Sequence, residues 1–157
     1  MSDKKILVTG GTGFIGSHTC VELINAGYEV VIVDNLYNSS EEVLSRIERI
    51  TGKRPLFYKA DVLDRTALTN IFDENEIEAV IHFAGYKAVG ESVRKPLEYY
   101  HNNIGSTIAL CEVMRDHGCK KIVFSSSATV YGDPAQIPIT ESCPLGEATN
   151  PYGATKV

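Results

Sequence analysis

A tyrosine and a lysine stand four positions apart near the end of the chain, at Tyr152 and Lys156 in the segment N-P-Y-G-A-T-K-V. Residues at i and i+4 share one face of a helix, and Pro151 is typical of a first helical turn. An ammonium beside a phenol favours the phenolate, which can act as a general base. The same spacing also occurs in exposed helix pairs without a function, so other groups must join the pair to indicate proton transfer.

Hydroxyl side chains follow the fifth predicted strand, in the segment S-S-S-A-T at 125–129. Taken alone, such a run is an ordinary hydroxyl-rich strand end. Beside a tyrosine and a lysine, however, a serine hydroxyl completes a proton relay. A nicotinamide near the three groups would then make a hydride-transfer site.

A glycine-rich turn stands between the first predicted strand and the first predicted helix. The segment T-G-G-T-G-F-I-G carries Gly10, Gly13 and Gly16 in the spacing G-x-x-G-x-x-G. Glycines let the turn close and a pyrophosphate approach, and the free N–H groups of the helix N-terminus attract its charge. A plain tight turn would also use glycines, but the order strand, turn, helix, strand favours dinucleotide binding.

An acidic residue, Asp34, ends the second predicted strand 18 residues after Gly16, the last glycine of the turn. A carboxylate at this position can accept both ribose hydroxyls of NAD, and it would repel the 2′-phosphate of NADP. The segment 34–40 contains no Arg or Lys, so NAD is the expected cofactor. The alternative is an aspartate that only caps the next helix, but we expect Asn38 and Ser39 to supply those caps.

The elements that would position these groups alternate as short apolar strands and helices. We predict strands at 6–8, 29–33, 56–58, 79–83 and 121–125, and helices at 14–26, 41–51, 66–72 and 96–117. Continuous apolar strands interleaved with helices indicate a parallel sheet covered on both faces. Right-handed crossovers then give an α/β, doubly wound, Rossmann-like sheet in strand order 3-2-1-4-5.

Ligands of such sheets bind beyond the carboxyl ends of the strands, and several segments of this chain leave those ends. Residues 61–62 follow strand three and could border an adenine, and the small residues of 83–85 let the backbone pass close to a cofactor. Lys87 fits a phosphate contact or a surface lysine. Asn102 and Asn103 are poor helix formers inside a helical stretch, which buried side chains that bridge helix and strand would explain.

Composition and charge exclude several classes of function. The chain has 157 residues, 43% of them hydrophobic and 22% charged, with a formal net charge of −5. This size predicts one domain over 1–157, and the negative charge argues against a nucleic-acid partner. No apolar run approaches membrane-spanning length, and we expect no signal peptide, since the start M-S-D-K-K-I-L-V-T runs into a predicted strand. Four cysteines without C-x-x-C spacing and four histidines without H-E-x-x-H spacing predict a cytoplasmic protein with no metal site.

Together these motifs resemble the extended short-chain dehydrogenase/reductase family, through T-G-G-T-G-F-I-G, the acidic end of strand two, the serine after strand five and Y-x-x-x-K. Longer segments are similar to the UDP-hexose 4-epimerases of that family: D-N-L-Y-N-S (34–39), H-F-A-G-Y-K-A-V-G-E-S-V (82–93), P-L-E-Y-Y-x-N-N (96–103) and S-S-S-A-T-V-Y-G (125–132). Tyr86 departs from the leucine that is more usual in these epimerases.

The resemblance implies a function, a cofactor and a set of site residues. It implies interconversion of UDP-glucose and UDP-galactose, as in galactose metabolism, through a 4-keto sugar and a retained NAD. Ser127, Tyr152 and Lys156 match the catalytic residues: the tyrosine as acid/base, the lysine on the nicotinamide ribose and the serine on the reacting oxygen. The implied cofactor-binding residues are Gly10, Gly13, Phe14, Ile15, Gly16, Asp34, Asn35, Asn38, Ser39, Asp61, Val62, Phe83, Ala84, Gly85, Lys87, Asn102, Ser125, Tyr152 and Lys156.

The resemblance also bears on length and on rival functions. Chains of this family are roughly twice as long, so 1–157 would be an incomplete NAD-binding domain, truncated after the fifth strand and the start of the catalytic helix. The carboxyl-terminal nucleotide-sugar-binding part would be missing, and we expect the chain alone not to be competent. The complete protein would be a homodimer that pairs through helices such as 96–117.

A nucleotide-sugar 4,6-dehydratase is disfavoured because Ala128 and Thr129 stand where such enzymes carry Asp-Glu. A dinucleotide-binding module without turnover stays an alternative.

Overall fold

Five parallel strands form the sheet of this protein, in a computed structural model that describes residues 5–157. The strands are β1 (Lys5–Thr9), β2 (Glu29–Asp34), β3 (Leu56–Lys59), β4 (Ile77–His82) and β5 (Lys121–Phe124). They pair in the order β3-β2-β1-β4-β5, which confirms the predicted fold class and strand order. Because every pair is parallel, the carboxyl ends of the strands meet at one edge of the sheet.

Helices connect the strands, and two of their features were not predicted. The helices are α1 (Phe14–Asn25), α2 (Glu42–Thr51), α3 (Arg65–Glu74), α4 (Val89–Arg94), α5 (Pro96–Tyr99), α6 (Gly105–Asp116) and α7 (Pro151–Ala154). The short helix α4 was missed. The predicted helix 96–117 is divided, because a π-helical turn at Tyr100–Ile104 separates α5 from α6.

The described chain falls into two compact units. The first contains residues 5–84 and 106–124, that is, the sheet with α1, α2, α3 and most of α6. The second contains residues 85–105 and 125–157, with α4, α5, the π-helical turn, a 3₁₀ turn at Ala128–Tyr131 and α7.

The core of the first unit lies on both faces of the sheet, because alternate residues of a strand point to opposite faces. One face is packed by Leu7, Val31, Val33, Val80, Leu68, Ile71, Phe72, Leu110, Val113 and Met114. The other is packed by Ile6, Val8, Val30, Ile32, Cys20, Ile24, Leu44 and Ile47. The central strands β1 and β2 are thus buried on both sides, as their unbroken apolar runs predicted, whereas the edge strands β3 and β5 keep exposed side chains.

Three further observations concern the described residues as a set. None of the helices within 5–157 is long and apolar enough to cross a membrane. In the same range, no group of three or more His, Cys, Asp or Glu side chains is placed to hold a metal ion. All four cysteines, which lie in the described part of the chain, are free thiols.

Candidate functional site

The glycine-rich turn of the first unit closes so tightly that two of its glycines leave no room for a side chain. Gly10 has φ +69°, and a Cβ on it would lie 2.8 Å from the backbone nitrogen of Ala84. A Cβ on Gly16 would collide with the carbonyl oxygen of Gly10. The turn is held by hydrogen bonds from the Gly10 N–H to Val33 O (2.8 Å) and from the Gly13 N–H to Gly10 O (3.1 Å). The backbone of the turn is therefore open to a ligand.

The N-terminus of α1 directly follows this turn. Its N-cap residue is Gly13, which has no side chain to accept a hydrogen bond from the first helical N–H groups. Phe14 and Ile15 in the first turn are exposed, at 78% and 54%. Uncapped N–H groups and the positive end of the helix dipole favour an anion such as a pyrophosphate.

The Asp34 carboxylate is oriented by its neighbours at the end of β2. It is only 8% exposed and accepts hydrogen bonds from Thr12 N (3.2 Å), Leu36 N (2.9 Å) and Ser39 Oγ (3.3 Å). Thr12 Oγ1 also lies 2.7 Å from Ser39 Oγ, so the turn and the end of β2 are joined. Thr12 was not predicted, because only its contact with Asp34 in the fold marks it.

The predicted caps of the next helix were wrong. Helix α2 begins at Glu42, and its first N–H group donates to the hydroxyl of Ser40 at 3.1 Å. Neither Asn38 nor Ser39 caps it, because the helix starts too far along the chain. Leu36, in the left-handed region at φ 60°, bends the intervening segment. Asp34 is not a helix cap either, which leaves its carboxylate for the interpretation as a ribose ligand.

Further predicted residues lie at the same edge of the first unit. Asn35 Nδ2 donates to Asp61 Oδ2 at 3.0 Å. The Ala84 N–H donates to Thr9 Oγ1 at 3.2 Å, and Thr9 Oγ1 also lies 2.6 Å from Nδ1 of the buried His82. The threonine and the histidine were not predicted, and they fix the end of β4.

Of the remaining predicted residues, Val62 is buried in the core, Phe83 is partly buried and Asn38 is exposed.

The residues of this edge fit a dinucleotide. The turn offers a backbone cradle that a Cβ would fill, α1 offers N–H groups, and the buried Asp34 carboxylate offers oriented acceptors. A dinucleotide bound at a strand–turn–helix junction needs a close backbone and a helix N-terminus for its pyrophosphate and an acidic acceptor for its ribose hydroxyls.

In the second unit, α7 carries Tyr152 and leads to Lys156. Asn150 caps the helix by accepting the Gly153 N–H at 2.8 Å, and Pro151 occupies the first helical position, as predicted. Helix α7 ends at Ala154, and the Lys156 N–H still donates to Gly153 O at 2.9 Å. Tyr152 and Lys156 thus lie on adjoining turns of one short helical segment.

Lys156 is not the exposed lysine of a surface helix pair. Its side chain is 7% exposed, and Nζ donates to the carbonyl oxygen of Ser125 at 3.0 Å. Burial lowers the pKa of the Lys156 ammonium below its ordinary value, because the charged form loses hydration. A buried ammonium favours a negatively charged group beside it, which suits a lysine that assists a phenolate.

The serine run contacts the same lysine and a threonine. Ser126 Oγ donates to the carbonyl oxygen of Lys156 at 2.8 Å, so both ends of the lysine are tied to the segment after β5. Ser127 Oγ accepts hydrogen bonds from Thr129 Oγ1 (2.9 Å) and Thr129 N (3.3 Å). The run is therefore more than a hydroxyl-rich strand end.

Asn103 in the π-helical turn joins three segments of the second unit. It is 3% exposed; its Oδ1 accepts the Tyr86 N–H (2.8 Å), and its Nδ2 donates to Tyr86 O (2.9 Å) and Thr155 Oγ1 (3.0 Å). The half-buried Asn102 donates to Asn103 Oδ1 at 3.0 Å. A Cβ on Gly85 would lie 3.2 Å from Asn103 Oδ1.

These contacts explain both asparagines inside a helix, although Asn103 bridges to a loop and to Thr155, not to a strand. Lys87, which was predicted as a cofactor contact and follows Tyr86 in the chain, is exposed. Thr155 was not predicted, because sequence spacing does not show which hydroxyl a distant side chain such as Asn103 meets. Thr129 was not predicted as a partner of Ser127, although it lies only two residues along the chain.

The class of protein follows from a family comparison. The model of the NAD dependent epimerase/dehydratase family matches residues 6–157. The chain therefore belongs to the NAD-dependent epimerase/dehydratase family.

Within this family, the chain is most informatively compared with individual curated proteins. The chain is 68% identical over 152 residues to UDP-glucose 4-epimerase of Bacillus subtilis, and 59% identical over 155 residues to UDP-glucose 4-epimerase of Dictyostelium discoideum. These matches cover 97% and 99% of this chain but only 44% and 45% of the relatives. The chain thus spans less than half the length of the curated relatives it matches.

Solved structures agree with these matches. UDP-glucose 4-epimerase from Bifidobacterium longum, in complex with NAD+ and UDP, superposes with a TM-score of 0.95 at 57% identity, covering 98% of this chain and 46% of that one. The UDP-Glc/GlcNAc 4-epimerase of Campylobacter jejuni superposes with a TM-score of 0.90 at 35% identity, covering 98% and 46%.

Proposed function

We propose that these residues form the cofactor-binding and proton-transfer part of an NAD-dependent UDP-glucose 4-epimerase. The observation that carries the proposal is the buried Lys156 ammonium, 3.0 Å from the Ser125 carbonyl oxygen and one helical turn after Tyr152. The names of the relatives and the family description support the same activity.

In this proposal the cofactor is NAD. Gly10, Gly13, Gly16 and the N-terminus of α1 bind the pyrophosphate, and Asp34 accepts the adenosine ribose hydroxyls. When bound, NAD supplies a hydride acceptor and donor at its nicotinamide. The other proposed contacts are Phe14, Ile15, Asn35, Asn38, Ser39, Asp61, Val62, Phe83, Ala84, Gly85, Lys87, Asn102, Ser125, Tyr152 and Lys156.

The chain's own residues move and hold the proton. Tyr152 removes the proton of the sugar 4-hydroxyl during oxidation and returns it during reduction. Ser127 donates a hydrogen bond to the reacting oxygen, and Lys156 favours the tyrosinate through its positive charge. Burial of Lys156 strengthens that effect, because charges interact more strongly away from water. Between the two half-reactions the sugar exists as a 4-keto compound.

The complete protein, in the same proposal, acts on UDP-glucose and UDP-galactose in galactose metabolism. The Bifidobacterium relative binds UDP, which supports a UDP-sugar as substrate. The free thiols fit the cytoplasm. We propose a homodimer that pairs through α6, where Ile108 is 55% exposed and lines a shallow groove with Thr107, Cys111, Glu112 and Arg115.

The test is a chimera in which residues 1–157 replace the matching first part of the Bacillus subtilis relative. We expect the purified chimera to carry NAD absorbance and to interconvert UDP-glucose and UDP-galactose. Tyr152→Phe should lower kcat by about 10²- to 10⁴-fold while NAD content stays unchanged, since only the proton-transfer group is lost.

Tyr28→Phe is the matched control, because it removes the hydroxyl of a tyrosine that is 48% exposed and lies outside the predicted site. Its kcat should equal that of the unsubstituted chimera. Bound NAD without interconversion in the unsubstituted chimera would instead identify a dinucleotide-binding module without turnover.

A further inference from the structure

Ser127 stands at the start of the 3₁₀ turn Ala128–Tyr131 and is its N-cap residue. Its Oγ accepts the backbone N–H of Thr129 at 3.3 Å and the hydroxyl of Thr129 at 2.9 Å. The cap therefore has two donors from one residue, and the second donor is a side chain that an ordinary N-cap does not require.

The hydrogen-bonding capacity of a hydroxyl decides what Ser127 can still do. A serine oxygen has two acceptor lone pairs and one proton to donate. Both lone pairs are engaged by Thr129, and within residues 5–157 Ser127 Oγ donates no hydrogen bond. The proton is thus what Ser127 can offer to a further group.

Thr129 is itself held against the helix that carries Tyr152. A Cβ on Gly153 would lie 3.2 Å from Thr129 Oγ1 and 3.4 Å from Thr129 Cβ. Gly153 is buried, so its missing side chain lets α7 approach the threonine closely. One side chain therefore contacts Ser127 and packs against the residue that follows Tyr152.

We propose that Thr129 is a positioning residue that keeps Ser127 oriented as a hydrogen-bond donor toward the reacting oxygen of the sugar. This inference rests on the proposed function. A serine hydroxyl without this restraint can rotate and accept from the sugar hydroxyl, which gives no stabilisation to the oxygen as it loses its proton. By engaging the second lone pair of Ser127, Thr129 disfavours that orientation.

The test uses the chimera and three substitutions of the threonine. Thr129→Val keeps the branched shape and removes the hydroxyl, Thr129→Ala is a second variant without it, and Thr129→Ser restores it. We expect Thr129→Val and Thr129→Ala to lower kcat about tenfold, because each removes one hydrogen bond to Ser127. KM and NAD content should change less than twofold, and Thr129→Ser should recover kcat.

A double-mutant cycle separates positioning from simple structural support. If Thr129 acts through Ser127, then Thr129→Val should have no further effect on kcat in a Ser127→Ala background. Equal effects of Thr129→Val in both backgrounds would overturn the inference, as would an unchanged kcat. Loss of NAD or of folding in both hydroxyl-free variants would also overturn it, because the threonine would then be structural.

Failure of the proposed function would give a different result. An unsubstituted chimera that binds NAD but does not interconvert the sugars would contradict the epimerase assignment and the inference that rests on it. That outcome is measured before any substitution at Thr129, so the two failures are distinguishable.

Discussion

At the scale of single residues, burial changes what a side chain can do. The spacing of Tyr152 and Lys156 is compatible with an exposed helix pair, but Lys156 is 7% exposed and its ammonium lies on the Ser125 carbonyl. A lysine in this position is costly to charge, which lowers its pKa and makes a negative neighbour favourable. In the first unit, hydrogen bonds shift the pKa of a histidine, His117, in the opposite direction.

We predict that His117 makes the stability of the protein depend on pH. Its Nδ1 lies 2.8 Å from Val113 O and its Nε2 lies 3.0 Å from Asp73 Oδ1. The Val113 carbonyl and then the Asp73 carboxylate raise the pKa of His117, because only the imidazolium donates from both nitrogens. The added stability is complete below the ordinary value of about 6.5 and is lost as pH rises through the raised pKa.

Urea unfolding of the chimera at a series of pH values measures this effect. His117→Asn should lower the free energy of unfolding more at pH 6 than at pH 9. His101→Asn, which removes an exposed imidazole, is the control and should show a small difference at both. A destabilisation by His117→Asn that is the same at both pH values would contradict the prediction.

At the scale of elements, the glycine-rich turn and the π-helical turn are specified by the sequence in two different ways. The turn between β1 and α1 is specified largely by its own residues, because a Cβ on Gly16 would collide with the backbone of Gly10 and Gly11. The π-helical turn is specified by distant partners, because Asn103 bonds to Tyr86 and Thr155. Only a turn that is specified by its own residues can be recognised from a short sequence motif.

We predict that Gly16→Ala abolishes NAD binding by the chimera and destabilises it. The added methyl would collide with Gly10 O and lie 2.9 Å from Gly11 Cα, both of which are backbone atoms. Overpacking of this kind costs about 1–3 kcal/mol, and a widened turn would no longer hold a pyrophosphate.

Gly90→Ala is the matched control, since a Cβ on this glycine of α4 meets nothing within 4 Å. It should retain NAD and be neutral or stabilising by up to about 1 kcal/mol, as expected for Gly→Ala in a helix. NAD absorbance and urea unfolding measure both variants. Retention of full NAD by Gly16→Ala would show that the turn does not bind the pyrophosphate.

At the scale of the whole molecule, β5 is an edge strand with an exposed apolar surface. Ile122, Val123 and Phe124 are 40%, 62% and 37% exposed. Exposed apolar edge strands promote pairing between chains. Within residues 5–157, the two edge strands of the sheet are β3 and β5.

We therefore predict that the 157-residue chain by itself self-associates and lacks a sharp thermal transition. Val123→Lys should reduce self-association in sedimentation and light scattering, because a charge at the edge opposes strand pairing. Ile50→Lys is the matched control, since Ile50 is 67% exposed but lies on α2 away from the sheet edge. A monodisperse monomer of the unsubstituted chain with a cooperative transition would refute the prediction.

The sequence alone determined the sheet and the turn. Unbroken apolar runs identified all five strands within one or two residues, and the right-handed crossover rule correctly predicted their order. The spacing of Gly10, Gly13 and Gly16 located the turn because its geometry depends on near neighbours. The strand positions and the turn are local, so a local pattern is enough to show them, whereas the strand order follows from the handedness of the crossovers.

Only the tertiary structure decided how the candidate catalytic side chains are held. The Lys156 contact with Ser125 and the Thr155 contact with Asn103 appear once the segments are packed. These contacts join residues 31 and 52 positions apart. Which hydroxyl or carbonyl a buried polar group meets depends on how distant segments dock, and burial makes that partner obligatory. Spacing along the chain carries no record of that choice.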